Sequence, residues 1–556
     1  MKNVFTVGNY LLDRLSELGI RHIFGVPGDY NLSFLDDVIE YEGIDWVGNC
    51  NELNAAYAAD GYARVNGIAA LITTFGVGEL SAINGIAGSY AENVPVVKIT
   101  GLPTTKVIND GLYVHHTLGD GKFDHFSNMF KEVTVAQTLL TQENAAQEID
   151  RVLLSCWREK RPVHINLPID VYNKPINKPS KRLLDDIVSS NQDALHQLLT
   201  EITPIINQAK SPVILADYEV YRYQAQEMLQ HFAEKTGFPV ATLSMGKGVF
   251  NEEHPQFIGV YNGDLSSPYI QQRIDQADCI ISIGVKLTDS ITGGFSHGFS
   301  EETVIHIHPF SVKAKNKKYA PVTMNEALLS LSNEIEQRNF EDLNIISVNS
   351  QTTKDQYVVK EGMITQKCFF ERISHFLKEK DVLLAEQGTS FFGATMMPLP
   401  KDTTFIGQPL WGSIGFTLPA LLGTQLADQS RRNILLIGDG SFQLTAQEIS
   451  TMLRQQIKPI IFLINNDGYT VERAIHGEDQ VYNDIQMWDY QKIPDVLGPK
   501  ERSLTFKVQT EPELEEALEA AERDRDHLIF IEVVMDRDDK PELLNHISKR
   551  FATQNI

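Results

Sequence analysis

The most constraining stretch of this chain runs from Ile434 to Glu472. An apolar run, Ile434-Leu435-Leu436-Ile437, passes directly into Gly438-Asp439-Gly440-Ser441. A second, Pro459-Ile460-Ile461-Phe462-Leu463-Ile464, passes into Asn465-Asn466-Asp467-Gly468-Tyr469. Between them Leu444, Ile449, Met452 and Leu453 are spaced for one buried helix face. Two strands joined by a helix form a βαβ unit. Its strands are parallel, so both polar tips lie at one edge of the sheet. That edge is where open α/β sheets bind ligands.

The two tips complement a metal diphosphate. Gly438 and Gly440 let the backbone approach a ligand closely, and Ser441 adds a donor near a helix N-terminus, where anions are favoured. Asp439, the Asn466 amide and the Gly468 carbonyl are hard oxygen ligands of the kind Mg²⁺ takes alongside phosphate and water. Either tip alone reads as an ordinary surface turn. Both together, each behind a continuous apolar strand, point to a site.

Gly438-Asp439-Gly440-Ser441 followed by Asn465-Asn466 resembles the cofactor fingerprint of thiamine diphosphate enzymes. The longer run Asn465-Asn466-Asp467-Gly468-Tyr469-Thr470-Val471-Glu472 resembles the 2-keto acid decarboxylases, the group acting on pyruvate, indolepyruvate and branched-chain 2-keto acids. The resemblance extends over nearly the whole chain. It implies an α/β protein of three doubly wound parallel-sheet domains with the thiamine diphosphate-binding fold.

A length of 556 residues is too great for one core and suggests several domains. Strands His22–Val26, Ala69–Thr74, Val94–Thr100 and Val163–Leu167 alternate with helical patterns and define a first α/β unit, residues 1–180. Asn, Lys and Pro break both periodicities from Asn173 to about Asp193, which reads as a linker. A second, Rossmann-like unit, residues 195–345, contains strands Pro212–Ala216, Pro239–Thr242 and Cys279–Gly284 but no catalytic constellation. The third unit, residues 360–556, contains the opening stretch and is architecturally like the first. It ends on an amphipathic helix, Glu542 to Phe551.

The 49 basic against 73 acidic residues give a net charge of -24, which makes nucleic acid and anionic membranes poor partners. Four scattered cysteines form no zinc or disulfide pattern and fit a reducing compartment. No signal-like N-terminus and no membrane-length apolar run is present, so cytoplasm is expected.

Several residues have both an ordinary and a functional reading. Asp29 after Pro27-Gly28 has the look of a helix cap. Asn49 and Glu52 have capping-box spacing. After Glu52, the small side chains Ala55, Ala56, Ala58 and Ala59 permit another backbone to approach, as at a tight interface. His115 and His116 lie in a loop with glycines at 111, 119 and 121, and adjacent residues in an extended segment point apart, which argues against a shared metal. Cys279, in an apolar strand, reads as core.

The resemblance assigns roles to these positions. Asp439, Asn466 and Gly468 would hold Mg²⁺, and Gly440, Ser441, Gly388, Thr389 and Ser390 would help hold the diphosphate. Glu52 would meet the pyrimidine ring, Gly412 would accept from its amine, and Ile414 would force the cofactor to fold. Asp29, His115, His116 and Glu472 match the acid-base set of the decarboxylases, alongside Glu52. Gln387, Phe391, Phe392 and Val471 would line the substrate pocket with Ile475, Ile547 and Phe551. The small Val471 and apolar wall imply branched-chain or aromatic 2-keto acids in preference to pyruvate. The partner expected is a second copy of the chain sharing each active site, in a dimer of dimers. Two other functions stand beside this one: a carboligase of the acetolactate type, and an inert nucleotide-binding scaffold.

Overall fold

The computed structural model describes residues 4–186, 189–338 and 357–554. The expected end of the middle unit near residue 345, and linker residues 187 and 188, lie outside the described residues. The linker gives way to a helix capped by Asn191, whose side chain accepts from the Ala194 N–H at 2.9 Å.

Three sheets organise the described residues. The first runs, edge to edge, Asp45–Gly48, His22–Gly25, Ala69–Thr74, Val96–Leu102, Val163–Pro168 and Ala136–Leu139, all parallel. The third runs Thr404–Ile406, Val382–Ala385, Asn433–Gly438, Ile460–Asn465, Leu528–Val534 and Ser503–Val508, also parallel. By sequence order of strands both read 2-1-3-4-6-5. The likeness of the two units read from the sequence therefore extends to topology. The middle sheet is parallel over its main strands, as expected, and adds one feature. It ends in an antiparallel hairpin, Ser311–Ala314 with Lys317–Tyr319, joined antiparallel to Val304–His308.

The apolar runs form strands because helices cover both faces of each sheet. Ile434 to Ile437 are fully buried, as are Ile461 to Ile464. Each such side chain contributes about 1.5–3 kcal/mol by leaving water. The predicted single helix after Gly438 is instead two short ones, Asp439–Thr445 and Glu448–Arg454. The break rotates the face: Ile449, Met452 and Leu453 are buried, whereas Leu444 is 49% exposed.

Two helices join the first and third units within the chain. Glu52–Asn66 packs along Thr417–Ala427 so closely that a Cβ on Gly61 would collide with the Ala420 carbonyl, and one on Gly423 with the Ala58 carbonyl. The small-residue face after Glu52 thus has its partner in the same chain. The helix is capped by Asn51, whose side chain accepts from the Asn54 N–H at 2.8 Å, and not by Asn49. Asn49 instead accepts from the Gly25 N–H at 3.2 Å. Beside this joint Arg64 is buried with two carboxylates, Asp60 at 2.6 Å and Glu92 at 2.7 Å.

Candidate active site

In a sheet of order 2-1-3-4, the chain leaves strands 1 and 3 in opposite directions, which opens a crevice at their C-terminal ends. Both outer units place their polar tips there. In the first, strand His22–Gly25 leads to Asp29 and strand Ala69–Thr74 leads to the Gly76-Val77-Gly78 turn. In the third, Val382–Ala385 leads to Gly388-Thr389-Ser390, and Asn433–Gly438 leads to Asp439.

At the first crevice Asp29 is no helix cap. Its carboxylate meets His115 Nε2 at 2.6 Å and His116 Nε2 at 3.7 Å. The ligand-type atoms of the three residues all lie within 4.8 Å of one another. The adjacent histidines therefore converge, contrary to the extended-segment expectation, because His116 has φ 64° and turns the chain. Tyr30 holds the arrangement by stacking on His115, centroids 4.9 Å apart and planes 9° apart. Gly76, also at positive φ, lies against the His116 carbonyl where a Cβ would collide. Glu52 reaches the same turn: a Cβ on Gly78 would be 3.2 Å from its Oε1. In the single chain this constellation is open, with side-chain exposures of 48% for Asp29 and 59% for His115.

At the second crevice Asp439 is fully buried and accepts from the Gly440 N–H at 2.8 Å and the Gly468 N–H at 3.1 Å. Burial pushes its carboxyl up to about 6, against the pull of those two N–H groups. Asn465 is committed to the core, donating to Glu532 at 2.8 Å. The neighbouring Asn466 is buried beside Asp439's turn. Arg473 fixes the Asn466-Asp467-Gly468 turn by donating to the Asp467 carbonyl at 2.5 Å and to Asp484 at 3.0 Å. Gly440 is required by the Tyr469 ring, which a Cβ would meet at 2.6 Å.

A metal diphosphate fits these residues. Ser390 Oγ is buried and has no hydrogen-bond partner. A Cβ on Gly438 or Gly412 would meet nothing within 4 Å, and one on Gly388 only Val471 Cγ2 at 4.0 Å. Three loops thus have bare backbone with room beside it, and the third unit adds an unpartnered buried hydroxyl at Ser390 and a buried carboxylate at Asp439. Ser441 is buried in the first turn after Asp439, and Thr389 is buried next to Ser390.

The loop carrying Gly412 and Ile414 is tied to the first unit. Ser413 Oγ lies 2.6 Å from Tyr57 Oη and 3.3 Å from Asn84 Nδ2. The Trp411 indole donates to Asn84 at 3.0 Å, and the Leu410 N–H to Glu92 at 3.1 Å. Among the described residues no hydrogen bond or ion pair joins Asp29, Glu52, His115 or His116 to the third unit.

Around the positions expected to line the substrate pocket, helix Glu542–Gln554 lies over helices Thr389–Thr395 and Thr470–His476. Ile547 is buried there, with Phe551 and Val471 packed at the margin of the same cluster. Gln387 and Ile475 are half-buried and Glu472 is exposed. Phe391 and Phe392 are buried at 2% and 3% exposure, and Phe391 packs against Phe405 and Gly407.

Sequence reasoning passed over two structural carboxylates. Glu386, buried at the end of its strand, accepts from the Thr417 hydroxyl at 2.6 Å and N–H at 3.0 Å, anchoring the Thr417–Ala427 helix. Burial raises its carboxyl to about 7. Glu448 accepts from Asn49 at 2.9 Å and Asn54 at 2.8 Å, holding the start of the Glu52 helix. Those partners are 399 and 394 residues distant, so no local motif announces them.

Three family models match this chain. The N-terminal TPP binding domain of thiamine pyrophosphate enzymes matches residues 5–127, the central domain 199–327 and the C-terminal TPP binding domain 388–533. A protein named α-keto-acid decarboxylase from Mycolicibacterium paratuberculosis is 44% identical over 540 residues, covering 97% of this chain and 95% of its own. Proteins of the same name from Mycobacterium leprae and Mycobacterium tuberculosis are each 42% identical, over 552 and 551 residues, and cover 99% of this chain and 96% and 98% of their own.

Proposed function

This chain belongs to the thiamine pyrophosphate enzymes, as an α-keto-acid decarboxylase, and from that premise we propose that it converts 2-keto acids to aldehydes and carbon dioxide with thiamine diphosphate and Mg²⁺. Its units are taken as residues 1–180, 195–345 and 360–556. Asp439, Asn466 and the Gly468 carbonyl hold the metal. Gly388, Thr389, Ser390, Gly440 and Ser441 hold the diphosphate, with the Gly412 carbonyl and Ile414 orienting the rings. When bound, the cofactor supplies the electron sink for the carbanion that decarboxylation leaves.

The protein's part is binding, orientation and proton management. Glu52, half-buried at its helix start, meets the pyrimidine ring. Asp29, His115 and His116 form a proton-transfer set, in which the Asp29 carboxylate orients His115 through Nε2. Glu472, exposed on the third unit, completes the acid-base set. The observation that carries the decarboxylase reading is the convergence of Asp29, His115 and His116 at the crevice. An aldehyde leaves only after a proton is delivered, and this set supplies one.

The pocket formed by Gln387, Val471, Ile475, Ile547 and Phe551, over the buried Phe391 and Phe392, favours branched-chain or aromatic 2-keto acids. The exposure of Asp29, His115 and Glu472 in a single chain supports a homodimer with shared sites, paired into a tetramer. Closing such a site expels water and limits proton leakage. Exposed apolar side chains flank both halves: Val77, Tyr113 and Leu118 on the first unit, Val481 and Tyr482 on the third. Four unpaired cysteines support a cytoplasmic setting. No helix among the described residues is long and apolar enough to cross a membrane.

The test is a cofactor-dependent screen across pyruvate, 3-methyl-2-oxobutanoate, phenylpyruvate and indolepyruvate, with product analysis. Free aldehyde supports the reading. Acyloin as the main product would replace it with carboligation, and no carbon dioxide release from any substrate would remove it.

A further inference from the structure

Behind Glu52 the first unit holds a buried charged compartment. Lys98, in the middle of strand Val96–Leu102, is fully buried. Its ammonium donates to Thr73 Oγ1 at 2.8 Å, Thr100 Oγ1 at 2.7 Å and the Ile99 carbonyl at 2.9 Å. All three protons thus meet neutral oxygens, and the Phe130 ring lies 5.8 Å away. An ammonium taken out of water is costly unless nearby negative charge compensates.

Two carboxylates face it, Glu79 and Glu52. Glu79 is fully buried at the start of helix Val77–Ala91. Its Oε2 accepts from the Gly76 N–H at 2.9 Å, and its Oε1 is buried without a partner. Glu79 thereby grips the turn whose Gly78 rests on Glu52 and whose Gly76 rests on the His116 carbonyl. His164, fully buried on strand Val163–Pro168, closes the far end with Nε2 2.8 Å from Thr100 Oγ1.

The titratable groups facing this compartment are Glu52, Glu79, Lys98 and His164, from two helices and two strands. Burial, reinforced by the Lys98 charge, keeps His164 neutral. Burial pushes Glu79 up and Lys98 down, and the charge of each opposes the shift of the other. Two carboxylates and one ammonium remain. With both carboxylates ionised and Lys98 protonated, the compartment carries one uncompensated negative charge, which a buried site tolerates poorly.

We propose that Glu79 and Lys98 are positioning residues for Glu52, a buried pair that sets the charge behind it and holds the turn on which its carboxylate rests. The proposal depends on Glu52 being the carboxylate that meets the cofactor.

The experiment uses the full chain and measures, from pH 5 to pH 8, thiamine diphosphate binding with Mg²⁺ by calorimetry and kcat/KM for decarboxylation. Near-isosteric Glu79→Gln leaves Lys98 facing Glu52 alone and should move the acid limb of both profiles to lower pH, on the order of one unit. Lys98→Met leaves two carboxylates unbalanced and should move it to higher pH. The double variant should fall between. An unmoved limb in Glu79→Gln, or single variants moving in the same direction, would overturn the pair. Should Lys98→Met fail to fold, the direction found for Glu79→Gln decides. Glu52→Gln separates the two levels of the argument. If it leaves the acid limb and cofactor proton exchange as in the parent, the role of Glu52 falls and the pair's role falls with it. If it abolishes exchange while Glu79→Gln shifts nothing, only the pair is rejected.

Discussion

Gly423 meets the backbone of Ala58 with no room for a side chain between them: a Cβ would collide with the Ala58 carbonyl oxygen. This contact locks the first and third units together inside one chain and uses the small-residue face that follows Glu52. Gly423→Ala should destabilise the protein by about 1–3 kcal/mol, the usual cost of overpacking a tight core. Gly362→Ala, where a Cβ would meet nothing within 4 Å, should stay within about 0.5 kcal/mol. Denaturant midpoints of both variants against the parent check the pair.

With that face occupied, the case for a shared site rests on the two open half-sites. Glu52→Gln and Asp439→Ala chains should each be nearly inactive. If sites are shared, a dimer containing one of each has one site with both lesions and one with neither, so co-refolding should restore part of the activity. No recovery, with mixed dimers confirmed by native mass spectrometry, would place both residues in one chain's site.

Asp439→Ala should lose Mg²⁺ and thiamine diphosphate together, because Asp439 would be a ligand of the metal on which diphosphate binding would depend. Glu52→Gln should still bind cofactor while exchange of the thiazolium proton and turnover fall together. Calorimetry and NMR exchange distinguish the two. Unchanged cofactor affinity in Asp439→Ala would refute its assignment.

Substrate size should follow Val471, whose Cγ2 stands 4.0 Å from where a Gly388 Cβ would be. A methylene in an apolar pocket is worth roughly 1–3 kcal/mol. Specificity constants should therefore favour 3-methyl-2-oxobutanoate or phenylpyruvate over pyruvate, and Val471→Phe should narrow that preference. A parent enzyme that prefers pyruvate would contradict this pocket.

Asp217, fully buried in the middle unit, supplies a pH test remote from the chemistry. Burial pushes its carboxyl up to about 8, against hydrogen bonds such as that from the Lys286 N–H at 3.2 Å. The folded value lies above the 3.8 of an unperturbed aspartate, so its contribution is full below about pH 4 and is lost as pH rises to about 8. Asp217→Asn cannot ionise. Its Tm relative to the parent should rise across that window and level off above it, and a flat difference would contradict the burial argument.

The opening stretch was readable because its signals are local. Apolar strands with polar tips at Asp439 and Asn466 need only neighbouring residues to be recognised, and the structure puts those tips at a sheet crevice. Local reading failed where a conformation broke the assumed geometry. The left-handed φ of His116 turns two adjacent histidines onto one carboxylate, and a break after Thr445 rotates Leu444 out to solvent.

The sequence by itself determined the α/β class, the likeness of the first and third units and most of the residues proposed for the site, since strand burial and tip chemistry are properties of short segments. Only the tertiary structure decided what packs against the Ala55–Ala59 face and which carboxylates stand behind Glu52. It also showed that the buried Lys98 finds one of its three oxygens on a neighbouring strand, at Thr73. Those are contacts between residues from 25 to nearly 400 positions apart. Their energies depend on burial and on mutual charge, which no segment possesses until the chain has folded around it.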